Sequence, residues 1–237
     1  MTRMTQRMRQ GYAGTGPGAI TPDGCAVELW ARLRIGDEPE IIEAAAPAGA
    51  RILELGCGAG RMTRPLAERG FTVTAVDESP EMLERVVGAE RTVCAAIEDL
   101  DLGERFDVVL LASFLVNAGD PEVRRGLLRT CRRHVADGGL VLVQREGDDW
   151  HNPENVPRES VRGDAIFRLV SSEPIGPDTY SNLFEYVFPD VRWAHTFVSR
   201  RLTEEQFAQA LAEAGLAVER VLTPDRTWVR AVPVAEQ

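Results

Sequence analysis

The chain has 237 residues, 44% of them hydrophobic and 27% charged, with a formal net charge of −10. That size suits one α/β domain with a full core and a modest appendage, and the acidic balance repels phosphate backbones, which argues against nucleic acid as a partner. The apolar runs Val108 to Ala112 and Leu140 to Val143 are of strand length and too short for a bilayer, residues 1–20 lack the apolar core of a secretory signal, and Cys25, Cys57, Cys94 and Cys131 are scattered with no metal-ligand spacing, so a cytoplasmic protein without membrane contact is expected.

Residues 1–24, rich in Gly, Thr, Arg and Met, lack periodicity and are expected to be a flexible segment or lid. A helix from about Gly24 to Arg34, with Val27, Trp30 and Ala31 on one face, begins the ordered fold. From Arg51 strands and helices alternate. A strand to Leu55 is followed by a helix from about Arg61 to Arg69, then a strand from about Phe71 to Val76. Ser79 as N-cap and Pro80 behind it open the next helix. A strand near Thr92 to Ala95 leads through Glu98 and Asp99 to a fourth strand, about Phe106 to Ala112. Asp120-Pro121-Glu122 opens a long helix to about Val135, and Asp137-Gly138-Gly139 turns into a fifth strand, about Leu140 to Arg145. Five strands with right-handed crossovers predict a doubly wound, mainly parallel, Rossmann-like α/β sheet.

The pattern then changes. Residues 147–181 hold Pro153, Pro157, Pro174 and Pro177 among polar residues and read as loops or short elements. Two strands, about Asn182 to Phe188 and Val191 to Arg200, form an added small β element. Thr203 and Gln206 make a capping box for a helix ending at Gly215. Segments near Leu216 to Leu222 and Thr227 to Val232 read as C-terminal antiparallel strands.

The segment richest in chemistry is 52–60, Ile-Leu-Glu-Leu-Gly-Cys-Gly-Ala-Gly, with Asp77 ending the second strand. Glycines at 56, 58 and 60 allow positive φ and let a ligand lie against the main chain. Backbone amides at the following helix start add donors, and a carboxylate at Asp77 is placed to accept from both hydroxyls of a ribose. The third glycine of the dinucleotide fingerprint would fall at position 61, which is Arg61. Glu54, two residues ahead of the first glycine, suits a cationic ligand and repels a diphosphate. Cys57 is a small filler residue in the turn.

The stretch 51–145 resembles the core of the class I S-adenosylmethionine-dependent methyltransferases, small-molecule branch. The resemblance rests on the glycine turn, the strand-end acid, the Glu-Asp after strand three, the Phe-Asp-Val-Val of strand four and the Gly-Gly before strand five. The C-terminal Leu-Thr-Glu-Glu-Gln-Phe and Ala-Gly-Leu segments resemble the last helix and strand of the same fold. The layout of extra strands before that helix is similar to the amino-sugar N-methyltransferases of bacterial natural-product pathways. The resemblance implies S-adenosyl-L-methionine as cofactor, a core over 25–146 completed by 201–237, and an acceptor-side insertion or cap over 147–200. Gly56, Gly58 and Gly60 would then pack on the methionine portion and Glu54 would organise its ammonium. Asp77 would hold the ribose, with Glu78 at the same rim and Ser79 chiefly a helix cap. Ile97 and Glu98 would cover the adenine, whose usual Asp contact is replaced here by Ala95-Ala96. Ala112 and Ser113 would present backbone carbonyls, and Arg61 either reaches the cofactor carboxylate or is solvated.

The resemblance implies methyl transfer to O or N, with C as a third choice, of a small-molecule acceptor. Such a displacement depends on alignment and exclusion of water, with a base only for a protonated acceptor. Catalytic candidates are His151 beyond strand five, Tyr180 in the insertion and His195 in the added sheet, with Tyr12, Trp150 and Tyr186 as further acceptor-side aromatics. His134 reads as a charge partner for its helix dipole. No metal is expected, although Asp148 and Asp149 follow strand five. A monomer or homodimer is expected. Two other classes remain open: a nicotinamide-dependent oxidoreductase, opposed by Glu54 and Arg61, and a cofactor-binding module without turnover.

Overall fold

The structure, a computed structural model, describes residues 8–147 and 149–234. In chain order these form β1 (Ala13–Thr15), α1 (Val27–Arg32), α2 (Glu38–Ala45), β2 (Arg51–Leu55), α3 (Thr63–Glu68), β3 (Thr72–Asp77), α4 (Pro80–Leu83), β4 (Arg91–Cys94) and β5 (Phe106–Leu111). Then follow α5 (Pro121–His134), β6 (Val135–Gln144), β7 (Arg158–Arg162), β8 (Ala165–Gly176), β9 (Thr179–Val187), β10 (Arg192–Arg200), α6 (Glu204–Glu213), β11 (Leu216–Val221) and β12 (Trp228–Pro233). They divide into two compact units, residues 8–32 with 149–201 and residues 33–147 with 202–234.

The larger unit holds a seven-stranded sheet in the order β11-β12-β6-β5-β2-β3-β4. Strands β2 to β6 run parallel, and β12 and β11 add antiparallel pairs, as the sequence predicts for an α/β doubly wound sheet with antiparallel C-terminal strands. The two-residue period of the strands sends alternate side chains into two apolar layers. Leu53, Leu55, Val109, Leu111, Val141 and Val143 pack with Leu127 and Leu128 of α5 and Phe207 and Leu211 of α6. Ile52, Val108, Leu110, Leu140 and Leu142 pack with Ile42 of α2 and Met62 and Leu66 at α3. Each such side chain contributes roughly 1.5–3 kcal/mol on burial. Burial on both faces explains why these strands are continuous apolar runs in the sequence.

Strand order reverses between β2 and β5, with β3 and β4 on one side and β6 on the other. Open α/β sheets bind ligands beyond the carboxyl ends of the strands at such a reversal. The glycine turn after β2 and residues 112–114 after β5 both sit at that edge. Local signals set the helices that follow. The Ser79 hydroxyl accepts from the Met82 amide at 3.2 Å, Asp120 accepts from Glu122 N at 2.8 Å, and Thr203 with Gln206 closes a full capping box.

Two features of this unit were not anticipated. Helix α2 lies in a stretch to which the sequence reading assigned no element. Strand β6 begins at Val135, ahead of the expected glycine turn, because Gly138 and Gly139 lie within it. A Cβ on Gly139 would come within 2.8 Å of the Asp107 carbonyl, so the bare glycine backbone permits the close approach to β5.

The smaller unit is a five-stranded antiparallel sheet in the order β1-β10-β9-β8-β7. Strands β7 and β8 replace the loops expected over 147–181. Pro174 is accommodated because the β8–β9 register shifts between Pro174 and Gly176. Within the segment expected to be flexible, Ala13–Thr15 pairs with β10, the Tyr12 hydroxyl donates to the Val198 carbonyl at 3.1 Å, and the Trp193 indole donates to the Pro17 carbonyl at 2.9 Å. Helix α1, expected to open the core, groups instead with this sheet, where Arg32 bonds both Asp190 oxygens at 2.9 and 2.8 Å. Residues 1–7 of the expected lid lie outside the described residues.

Candidate cofactor site

All three glycines of the turn have positive φ: +71° at Gly56, +54° at Gly58 and +81° at Gly60. Their surroundings separate them. A Cβ on Gly60 would lie 3.0 Å from Val86 Cα, and one on Gly56 would lie 2.7 Å from Leu115 Cδ1. A Cβ on Gly58 would meet nothing within 4 Å. Gly56 and Gly60 therefore serve packing within the chain, whereas Gly58 opens onto empty space. Asp77 fastens the turn. Its Oδ2 accepts from Gly58 N at 2.8 Å and its Oδ1 from Ser79 N at 2.9 Å. Cys57 N donates to the Val76 carbonyl at 2.8 Å, joining the turn to β3. Burial pushes the Cys57 thiol far up, so it is an inert filler.

Glu54 shares the sheet face of Ile52, beneath α3, and is only 1% exposed. Its Oε2 accepts from the Thr63 hydroxyl at 2.6 Å, while its Oε1 has no hydrogen-bond partner. Burial raises the carboxyl pKa to about 7, against the opposing effects of the Thr63 bond and the Arg61 charge. An orphaned buried carboxylate oxygen beside an open glycine turn fits a cationic group and opposes an anionic one. Arg61 is not the solvated side chain that was one of its two expected places. It pairs with Glu38 of α2 at 3.1 Å, with both side chains mostly covered. Burial disfavours the Glu38 charge, but Arg61 and the Gly36 amide outweigh it and hold that carboxyl below its ordinary value.

The remaining predicted cofactor residues lie along the same strand edge. Ile97, 9% exposed, opens a short 3-10 turn after β4, and its Cδ1 lies 3.5 Å from where a Gly56 Cβ would be. The Ile97 carbonyl is fixed by the Thr130 hydroxyl at 2.8 Å. Glu98 instead lays its stem over Gly126 of α5, whose missing Cβ makes room for it. Glu78 is half-buried beside Asp77, and its carbonyl receives the Cys94 thiol. Ser79 is a helix cap, as expected. After β5 the Ala112 carbonyl accepts from Leu115 N at 3.2 Å. Ser113 and Phe114 have φ of +54° and +61°, and Ser113 N donates to Gln144 Oε1 at 2.8 Å. Two consecutive non-glycine residues in the left-handed region mark stored strain, which clusters at functional sites. Sequence reasoning missed Gln144, Thr63 and Glu38; only Thr63, at the start of a predicted helix, stood beside a residue already singled out.

In the smaller unit the catalytic candidates separate. The rings of His151 and Tyr180 stack at 4.1 Å and 13°. His151 Nδ1 lies 3.3 Å from Ser172 Oγ and its Nε2 3.3 Å from Ser199 Oγ. Ser172 donates to Asn182 Oδ1 at 2.7 Å, and Asn182 Nδ2 donates to Ser199 Oγ at 3.0 Å. That direction of donation assigns the proton of a neutral His151 to Nδ1, with Ser199 donating to Nε2. His195 stands apart. Its Nε2 donates to the Asp23 carbonyl at 2.9 Å and its ring packs against Phe197, while burial holds its pKa below the ordinary value. It therefore ties residues 21–25 to β10. His134 corrects its reading too. Its Nδ1 bonds the Thr130 carbonyl and its Nε2 accepts from Leu102 N, so the ring is neutral; burial lowers its pKa. Among the described residues no group of three or more His, Cys, Asp or Glu is placed to hold a metal ion. Asp148 lies outside the described residues.

The sequence profile of the methyltransferase domain family matches residues 29–221. The chain belongs to that family, the class I S-adenosylmethionine-dependent methyltransferases. A ubiquinone biosynthesis O-methyltransferase from a Caulobacter species is 36% identical over 109 residues, 40% of this chain and 40% of that one. One from Rhizobium leguminosarum is 33% identical over 103 residues, with the same coverage of both. The chain thus matches about two fifths of the length of these curated relatives. Among solved structures, an S-adenosylmethionine-dependent methyltransferase from Clostridium acetobutylicum superposes with a TM-score of 0.70 at 16% identity, over 87% of this chain and 95% of the other. A sugar N-methyltransferase from Streptoalloteichus gives 0.65 at 22% identity, over 93% and 98%. An amino pentose methyltransferase from Micromonospora echinaspora, solved with its S-adenosylmethionine bound, gives 0.62 at 23%, over 89% and 93%. These likenesses establish the shared fold. Among the described residues no helix is long and apolar enough to cross a membrane.

Proposed function

We propose that this protein transfers the methyl group of S-adenosylmethionine to an oxygen or nitrogen of a small-molecule acceptor. The observation that carries the reading is Glu54 Oε1, buried and without a hydrogen-bond partner next to the open Gly58. A ligand with an ammonium group satisfies that oxygen, and a dinucleotide does not. When bound, S-adenosylmethionine supplies a methyl carbon activated by positive sulfur. Glu54 holds the ammonium end, and the Gly58 backbone gives the ligand room. Asp77 keeps the turn in place through two amides and, as the carboxylate at the end of β3, is the residue that would face the ribose hydroxyls. Ile97 provides the apolar surface for adenine, with Glu78 at the rim. Glu98, Arg61, Ala112 and Ser113 would line the surrounding wall, with Arg61 held by Glu38, the Ala112 carbonyl by Leu115 N and the Ser113 amide by Gln144.

Acceptor chemistry is assigned to the antiparallel unit, with Tyr180 and His151 as its leading groups. The O-methyltransferase names of the sequence relatives and the N-methyltransferase names of the structural ones support oxygen or nitrogen as the receiving atom. Cys57, Cys94 and Cys131 are thiols, in keeping with a cytoplasmic enzyme. The assay is incubation of the full chain with methyl-labelled S-adenosylmethionine, a mixed small-molecule acceptor pool and, separately, RNA. Label is expected in a small-molecule product. Label in RNA alone, or in no product with the cofactor tightly bound, would overturn the reading.

A further inference from the structure

The parallel ladder between β5 and β6 ends at the Leu111–Val143 pair, and two side-chain amides carry the connection past that point. Gln144 Oε1 accepts from Ser113 N at 2.8 Å, and Asn117 Oδ1 accepts from Glu146 N at 2.9 Å. The two bonds run in opposite directions, each strand exit lending a side chain to the main chain of the other. Gln144 reaches from a rigid position, because its own residue pairs with Trp228 of β12. Asn117 is buried, and Val116 beside it belongs to the core. Within the segment so tied, Ser113 and Phe114 have φ of +54° and +61°. A residue with a Cβ is crowded against its own backbone in that region, so two in succession persist only where surrounding bonds hold them. Leu115, next in the chain, links this turn to the glycine turn. Its Cδ1 lies 2.7 Å from where a Gly56 Cβ would be, and Ile97 Cδ1 lies 3.5 Å from the same point.

We propose that Gln144 is a positioning residue for the cofactor: backed by the Asn117 tie, it locks the strained exit of β5 in the shape that sets Leu115 against Gly56 and Ile97. Gln144 acts through the turn and not by touching the ligand. Released from it, Ser113 and Phe114 relax toward right-handed or extended backbone, the regions open to residues with a Cβ. That relaxation carries Leu115 away from the glycine turn, and binding must then reorder the pocket, which weakens it. The proposal rests on the methyltransferase reading and deepens it by naming the residue that preorganises its cofactor site.

The test is calorimetric titration of the full chain with S-adenosylhomocysteine across a series at position 144, with the fold of each variant checked by a urea melt. Gln144→Met removes the acceptor and Gln144→Asn withdraws it by one methylene; each should lower the affinity about ten-fold. Gln144→Glu retains an acceptor at the same reach and should keep at least about a third of the wild-type affinity. Glycine enters the left-handed region without a Cβ penalty, so in a Ser113→Gly background the Gln144→Met change should lower the affinity less than about three-fold. A purely structural role gives no such rescue. Where Gln144→Met does not fold, the contrast between the Asn and Glu variants decides the matter. Equal affinities in the Asn and Glu variants, or an undiminished loss in the Ser113→Gly background, would overturn the role of Gln144 while the cofactor reading stands. Failure of the wild type to bind S-adenosylhomocysteine would instead remove the reading beneath it.

Discussion

Replacing Glu54 by Gln tests both its charge and its proton. The carboxyl is raised from an ordinary 4.5 to about 7 because burial opposes ionisation, and its Oε1 lacks a partner. A difference of that size between folded and unfolded chains corresponds to about 3 kcal/mol. The sign follows from proton binding. Below about pH 4.5 both states are protonated and there is no penalty; as pH rises the unfolded state ionises first, and the penalty is complete above about pH 7. Glu54→Gln should therefore leave the ligand-free protein nearly unchanged at low pH and stabilise it by up to about 3 kcal/mol above neutrality. Binding should show the reverse cost. An ammonium beside Glu54 favours the carboxylate, so wild-type binding of S-adenosylmethionine near pH 6 should release up to about one proton, and the Glu54 contribution should tighten binding by up to about ten-fold toward pH 8.5. The variant should bind with about 10–100-fold lower affinity at the higher pH and release no proton from this site. Calorimetry in buffers of different ionisation enthalpy counts the protons, and urea melts at several pH values give the stabilities. Equal proton release by wild type and variant, or a variant less stable at high pH, would refute the reasoning.

The glycines separate in a similar way. Gly58→Ala, at φ +54° with open space around it, should cost only about 1–2 kcal/mol in stability yet lower cofactor affinity at least about ten-fold. Gly60→Ala, which presses on the Val86 backbone, should chiefly lower stability, by about 1–3 kcal/mol. Thermal melts paired with titrations distinguish them; unchanged affinity in the Gly58 variant would remove the close-approach argument. Asp77→Ala removes acceptors from Gly58 N and Ser79 N, so it should weaken cofactor binding by roughly 1–3 kcal/mol and also loosen the turn, read as faster amide exchange at Gly58. Asn182→Leu should destabilise the chain by about 3 kcal/mol, because a fully buried amide leaves Ser172 and Ser199 without its bonds; a change below about 1 kcal/mol in a denaturant melt would show that the circuit is slack.

The parallel sheet was legible because its strands are buried on both faces and bounded by sharp signals. Ser79, Asp120 and Thr203 cap where their residue types predict. The glycine turn and Asp77 were legible too, yet their division of labour was not. Only the three-dimensional neighbours Val86 and Leu115 reveal that two of the glycines serve packing. Strands β7 and β8 were hidden by prolines and by polar residues on a sheet with two partly exposed faces, where alternation carries little apolar signal. The pairing of Ala13–Thr15 with β10 joins residues about 180 positions apart, a distance over which local propensity says nothing. His195 and His134 show the same limit, since their partners are backbone groups far along the chain or a turn away. His151 and Tyr180 were chosen separately from sequence, and the fold alone stacks them.

The most direct measurement is a calorimetric titration of the full chain with S-adenosylhomocysteine and, separately, with NAD at about pH 8, where Glu54 is ionised. The account predicts one-site binding of S-adenosylhomocysteine, sharply weakened in Glu54→Gln, and no binding of NAD. Tight NAD binding, or S-adenosylhomocysteine binding that ignores the loss of the Glu54 charge, would contradict it.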